Sequence, residues 1–135
     1  MKLITRDTDY AVRALCFIAR KKDELTPVTE LVKMLGVPRP FLRKILQILT
    51  KAGVLRSHKG LGGGFRLAKR PCEIFLVKLM ETFQGSTKLN KCFLKKRICP
   101  KRSSCCLRKR IEKIEKTMLD ELRTITIEGL IKKQG

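Results

Sequence analysis

Residues 29–68 read TELVKMLGVPRPFLRKILQILTKAGVLRSHKGLGGGFRLA, and this stretch decides the fold. Residues 29–35 form a short amphipathic helix, with Thr29 as a candidate N-cap and Gly36 as its stop. Val37-Pro38-Arg39-Pro40 opens a second helix, because proline is tolerated in a first helical turn, where backbone N–H groups lack partners. Phe41, Leu42, Ile45, Leu46 and Leu49 make its apolar stripe, and Gly53 ends it. Two short helices around a glycine turn fit a helix-turn-helix, and equally an ordinary helical hairpin. The next residues decide between them. Val54-Leu55-Arg56-Ser57 reads as a strand, Gly60, Gly62, Gly63 and Gly64 as a permissive loop, and Phe65-Arg66-Leu67-Ala68 as the return strand. A helix-turn-helix followed at once by a glycine-tipped hairpin is a winged helix. The glycines are a poor phosphate loop: no Lys-Ser/Thr pair follows, and Phe65 breaks the dinucleotide spacing.

Outward from this core, Tyr10, Ala11, Ala14, Leu15 and Ile18 recur at helical spacing over residues 8–20, with Asp7 or Thr8 as candidate caps. Residues 74–83 (IFLVKLMETF) predict another helix. Residues 86–106 form a polar, cysteine-bearing loop. From Leu107 a longer helix carries Leu107, Ile111, Ile114, Met118, Leu122 and Ile125 in steps of three and four, a narrow seam suited to a twin helix. The same seam could instead cover the chain's own domain. Residues 126–135 predict a short helical turn folding back. The expected fold is mainly α, a winged helix-turn-helix with a small β-hairpin wing plus a long dimerisation helix. Its expected divisions are a DNA-binding domain (1–85), a cysteine loop (86–106) and a dimerisation helix with C-terminal segment (107–135).

Charge narrows the partner. Among 135 residues, 32 Lys and Arg face 12 Asp and Glu, a net charge of +20. Such self-repulsion weakens a compact state unless a polyanion is a normal partner. Nucleic acid fits best, since neutralised phosphates release counterions. A membrane surface is the alternative, but no apolar run reaches spanning length. The N-terminus, MKLITRDTDY, is charged too early for a secretory signal, so a cytoplasmic location is expected. An RNA-binding protein would want an aromatic stacking platform, which the sequence lacks. An enzyme is not expected, because no His, Ser or paired carboxylates form a catalytic set.

Six cysteines in a reducing compartment point to metal or redox chemistry rather than disulfides. Cys92, Cys99 and Cys105 stand at intervals of seven and six residues, ahead of the long helix. Thiolates select zinc or iron–sulfur clusters. Structural zinc sites favour close Cys pairs, and the one His, His58, lies far off in sequence. Widely spaced single cysteines suit the corners of a cluster better. Cys105 and Cys106 are adjacent, so one of them is surplus to a ligand set. Lys91, Lys95, Lys96, Arg97, Lys101 and Arg102 surround the loop and favour thiolate. Cys16 and Cys72 read as structural.

The residues from Thr29 to Ala68, with Cys99-Pro100, Cys105, Leu107-Arg108 and the closing Thr126-Ile127-Glu128-Gly129-Leu130, resemble the Rrf family of winged-helix transcriptional regulators, in particular its IscR-like and NsrR-like cluster-sensing members. The resemblance implies a homodimer on an inverted-repeat operator in double-stranded DNA, with no membrane. It implies DNA contacts from Thr29, Pro38, Arg39, Pro40, Arg43 and Lys44, and from the wing residues His58, Lys59, Gly60, Gly62 and Gly63 in the minor groove. It also implies an iron–sulfur cluster, 4Fe-4S or 2Fe-2S, on Cys92, Cys99 and Cys105. In the IscR-like pattern a His stands three residues after the last ligand Cys, where this chain has Arg108. In the NsrR-like pattern a first-helix Asp of the other subunit completes the site, and Asp9 matches it with one residue inserted upstream; a favourable charge at a helix N-terminus is the other reading of Asp9. The spacing between Cys92 and Cys99 is one residue longer than the family's commonest. The function so implied is a sequence-specific regulator, a repressor, controlled by a cluster sensing iron, redox state or nitric oxide. The alternatives are a cluster-free thiol/disulfide sensor and a zinc-stabilised DNA-binding module.

Overall fold

The computed structural model describes residues 3–22, 24–85 and 106–133. Helix α1 runs Arg6–Arg20 and is capped by Thr5, whose Oγ1 accepts from the Thr8 N–H. Neither Asp7 nor Thr8 is the cap, since both lie within the first turn of α1; Thr8 is wholly buried and donates its hydroxyl to Gln84 Oε1 at 2.8 Å. The Thr5 N–H reaches the same oxygen at 2.9 Å. The start of the chain is thus tied to a residue seventy-nine positions away. Ala11, Ala14, Leu15 and Ile18 are fully buried and make α1 the central helix.

Helix α2 (Val28–Leu35) ends on Gly36, which takes the left-handed conformation at φ 67° and returns its N–H to Val32 O. Helix α3 (Arg39–Lys51) starts after Pro38 and carries Pro40 in its first turn. Leu42, Ile45, Leu46 and Leu49 are buried, while Phe41 packs its ring edge-on to Tyr10 at 5.8 Å. Each fully buried Leu or Ile contributes about 1.5–3 kcal/mol of apolar transfer, so this stripe locks α3 in one rotation about its axis. Its opposite face is therefore held outward.

Strands β1 (Leu55–His58) and β2 (Gly64–Leu67) form an antiparallel hairpin, with Leu55 opposite Leu67, Arg56 opposite Arg66, Ser57 opposite Phe65 and His58 opposite Gly64. Both strands lie one residue nearer the tip than the sequence suggests. The pairing of His58 with Gly64 carries them there, and Thr26 adds a single-residue bridge to β2, exchanging N–H···O bonds of 2.9 Å with Phe65 in both directions. Gly64 is needed for that approach, because a Cβ there would fall 2.5 Å from Thr26 O. Gly63 is equally confined, its Cβ position lying 2.2 Å from His58 O.

A 3-10 turn (Pro71–Glu73) precedes helix α4 (Leu76–Gln84). The expected helical start at Ile74 is displaced because Ile74 O accepts from Ile127 N–H and Leu76 N–H donates to Ile125 O, both at 3.0 Å. Helix α5 spans Cys106–Leu122 and α6 spans Ile127–Lys133. Helix α6 folds back onto α1, with Ile127 wholly buried in the main core. The apolar seam of α5 divides in two. Leu122 is buried with Leu76, Val77 and Met80, joined by Met118 and Ile125. Leu107 and Ile114 stay exposed, at 68% and 60%. No helix among the described residues is long and apolar enough to cross a membrane.

Candidate nucleic-acid interface

The outward face of α3, the start of α2 and the wing enclose an open trough of about 700 Å3. Of the residues expected to touch DNA, Thr29, Arg39, Arg43, His58, Lys59, Gly60 and Gly63 line it. Pro38, Pro40, Lys44 and Gly62 do not; all four are exposed, at the rim of α3 or at the wing tip. The trough also takes in Gln47, Thr50, Lys51 and Ser57, which the sequence reading passed over. A signal for three of them was present: 39, 43, 47, 50 and 51 follow helical spacing on the face opposite Leu42, Ile45, Leu46 and Leu49.

Among the described residues no carboxylate lines the trough. Arg39, Arg43, Lys51 and Lys59 enter none of the described ion pairs. The one acid of α2, Glu30, does not line the trough and is engaged by Lys21. The surface is therefore a cationic groove whose charges no described residue neutralises. Within it Gln47 offers an amide, and Arg39 and Arg43 offer planar guanidinium forks. These are the side chains suited to adenine and guanine edges in a major groove. The wing tip adds Leu61, entirely exposed between Gly60 at φ 100° and Gly62 at φ 75°.

The expected cluster ligands Cys92, Cys99 and Cys105 lie outside the described residues. Among the described residues no group of three or more His, Cys, Asp or Glu could hold a metal ion. Cys106 opens α5 as an exposed free thiol. Asp9 sits in the first turn of α1, its Oδ2 accepting from Arg13 Nε at 3.0 Å, with the Asp9 side chain 46% exposed. An ion pair so exposed contributes only about 0–1 kcal/mol, so the carboxylate is available to a stronger electrophile. Thiolates are the usual ligands of iron–sulfur clusters, and of the four expected ligands Asp9 alone lies among the described residues. Arg108 is paired with Glu112 at 3.0 Å. Cys16 is buried in α1, and burial pushes its thiol pKa up, against the smaller opposite pull of Arg20. It is a packing residue, as the sequence suggests.

A helix-turn-helix with a hairpin wing and an acid-free cationic trough defines a DNA-binding protein of the winged-helix class. The chain belongs to the Rrf2 family, described as iron-dependent transcriptional regulators, whose model matches residues 4–133. It is 35% identical to protein aau3 of Rhizobium meliloti over 130 residues, 96% of this chain and 84% of that one. It is 33% identical to the HTH-type transcriptional regulator NsrR of Oceanobacillus iheyensis over 129 residues, 94% of this chain and 88% of that one. In fold it is similar to CymR, the global cysteine regulator of B. subtilis, with a TM-score of 0.84, 19% identity and 98% coverage of both chains. The chain is thus a transcriptional regulator and not an enzyme.

Proposed function

We propose that this protein represses transcription from the cytoplasm as a homodimer, reading an inverted repeat through the trough of each copy, under the control of an iron–sulfur cluster. The cationic trough, free of carboxylates and built on the outward face of α3, carries the DNA reading. Arg39, Arg43 and Gln47 face base edges; Thr29, Lys44 and Lys51 take phosphates; His58, Lys59 and the glycine tip enter the adjoining minor groove. Pro38 and Pro40 fix the start of α3 without donating backbone N–H groups of their own. The exposed half of the α5 seam, Leu107 and Ile114, supports the dimer, because two apolar side chains on an otherwise charged helix gain by meeting their twins.

Cys92, Cys99 and Cys105 would hold the cluster, 4Fe-4S or 2Fe-2S, with Asp9 of a second copy completing the set. The bound cluster supplies a centre that iron supply, redox state or nitric oxide can alter. The chain's own part is mechanical. Cys105 directly precedes α5, and Asp9 is on α1, the central helix of the winged domain. A loop fastened to both couples the dimer helix to the spacing of the two α3 helices. Such coupling changes DNA affinity only if the two spacings differ in fit to the operator.

Selection from a pool of random duplexes tests the reading. The protein is expected to enrich an inverted repeat whose half-sites lie about one helical turn, or a multiple, apart. Arg39→Gln with Arg43→Gln should abolish the enrichment while leaving the fold intact, since both side chains are exposed. Equal retention of unrelated duplexes, or of RNA, would contradict it.

A further inference from the structure

The wing has a second charged face. Arg56 and Arg66 are direct cross-strand partners, so both guanidinium stems leave the hairpin on the same side, with Cβ atoms about 5 Å apart. Like charges at that spacing destabilise a hairpin. Lys69 joins them in a cleft of about 600 Å3, and Lys22 lines an adjoining hollow that shares Arg66 and Lys69. None of these four enters a described ion pair; the nearby Glu73 is held by Arg70 at 2.8 Å and also feels the charge of Lys69. This outer cleft and the trough both touch Thr50, Ser57 and His58, so they abut along β1. β2 has Thr26 on its other side, which leaves β1 as the free edge of the sheet.

We infer that Arg56, Arg66 and Lys69 form a second phosphodiester site, which grips the far wall of the minor groove that the wing enters. This rests on the proposed DNA reading and extends it outward from the half-site. A minor groove is about 6 Å wide between two phosphate walls. A hairpin inserted there meets phosphates on both faces. The trough serves one wall with Lys59, and the outer cleft serves the other. The like-charge pair is then a preorganised anion site that is relieved on binding. The contacts are sequence-independent, so they lengthen the footprint past the bases that α3 reads.

The test compares the full-length protein with its Arg56→Gln/Arg66→Gln variant on two duplexes: the selected operator ending at the half-sites, and the same operator with about one helical turn of flank on each side. The wild type should bind the flanked duplex more tightly. The variant should lose that gain while binding the short duplex nearly as well. Its salt dependence should weaken by about two phosphate contacts per half-site, so about four over the operator, roughly a hundredfold smaller loss between 50 and 200 mM salt. The free variant should melt no lower than the wild type at low salt, because a repulsion has been removed; residues with a merely structural role would melt lower. An unchanged flank gain and salt slope overturns the inference alone. So does a cleft that takes inorganic phosphate, stabilising the wild type and not the variant, with no effect of flanks. A wild type that binds neither duplex overturns the DNA reading with it.

Discussion

Replacing Gly64 by Ala tests the wing at its tightest point. The added Cβ would sit 2.5 Å from Thr26 O and 2.8 Å from Pro27 N, both backbone atoms with no flexible end to swing away. Comfortable contact needs about 3.5 Å, so β2 must retreat from Thr26 by roughly 1 Å. The two bonds between Thr26 and Phe65, now 2.9 Å each, then pass beyond hydrogen-bonding length. Each loss costs about 1 kcal/mol net, and more where the freed group stays buried, which gives about 2–4 kcal/mol in all. For a chain of this size that is roughly 10 °C in Tm. Thr26 and Pro27 lead directly into α2, and Val28 and Thr29 line the trough, so the same retreat splays the DNA surface. Gly62→Ala is the control: nothing lies within 4 Å of its Cβ position, and only its φ of 75° is penalised, at about 1 kcal/mol. Urea unfolding gives the two stabilities, and hydrogen exchange at the Thr26 and Phe65 amides reports the bonds. If Gly64→Ala were as stable as Gly62→Ala with both amides still protected, the close-approach reasoning would be refuted.

Three further outcomes are expected. Ile114→Arg should weaken self-association at least about tenfold by sedimentation without lowering monomer stability, whereas Leu122→Ala, in the buried half of the seam, should cost about 2–5 kcal/mol of folding. Lys22 holds a left-handed φ of 57° just past α1, so Lys22→Gly should raise stability by up to about 1 kcal/mol in urea melts. Cys16 should resist alkylation in the native state while Cys106 reacts. The raised Cys16 pKa favours the neutral thiol in the fold; its contribution is complete below the unfolded thiol pKa and is lost as pH climbs past it, which melts on the alkaline side would show.

The helix-turn-helix and the wing were legible because their signals are local. Gly36 stops α2, the two prolines start α3, and a glycine cluster between two short apolar runs can only be a tight return. Features made by distant pairs were not legible. The Gln84 side chain that holds Thr5 and Thr8, and the one-residue strand at Thr26, leave no periodic trace. The α5 seam was visible, but the division of labour along it depends on where α4 comes to rest. Half of the trough was read from the family resemblance. Gln47, Thr50 and Lys51 were missed because attention went to the apolar face of α3, although the opposite face follows from it. The proposed cluster rests on donor type and spacing at Cys92, Cys99 and Cys105, and of its proposed ligands Asp9 alone lies among the described residues.

The central claim, control by a cluster on Cys92, Cys99 and Cys105, meets its most direct test in anaerobic purification. A visible absorption spectrum, iron and sulfide counts and operator affinity would be measured on one preparation, and on its Cys92→Ala and Cys105→Ala variants. The account predicts a coloured protein with iron and sulfide in equal amounts, lost in both variants, and an operator affinity that changes when the iron is removed. A colourless, iron-free protein from a host able to assemble clusters, or full iron and sulfide in either variant, would contradict it.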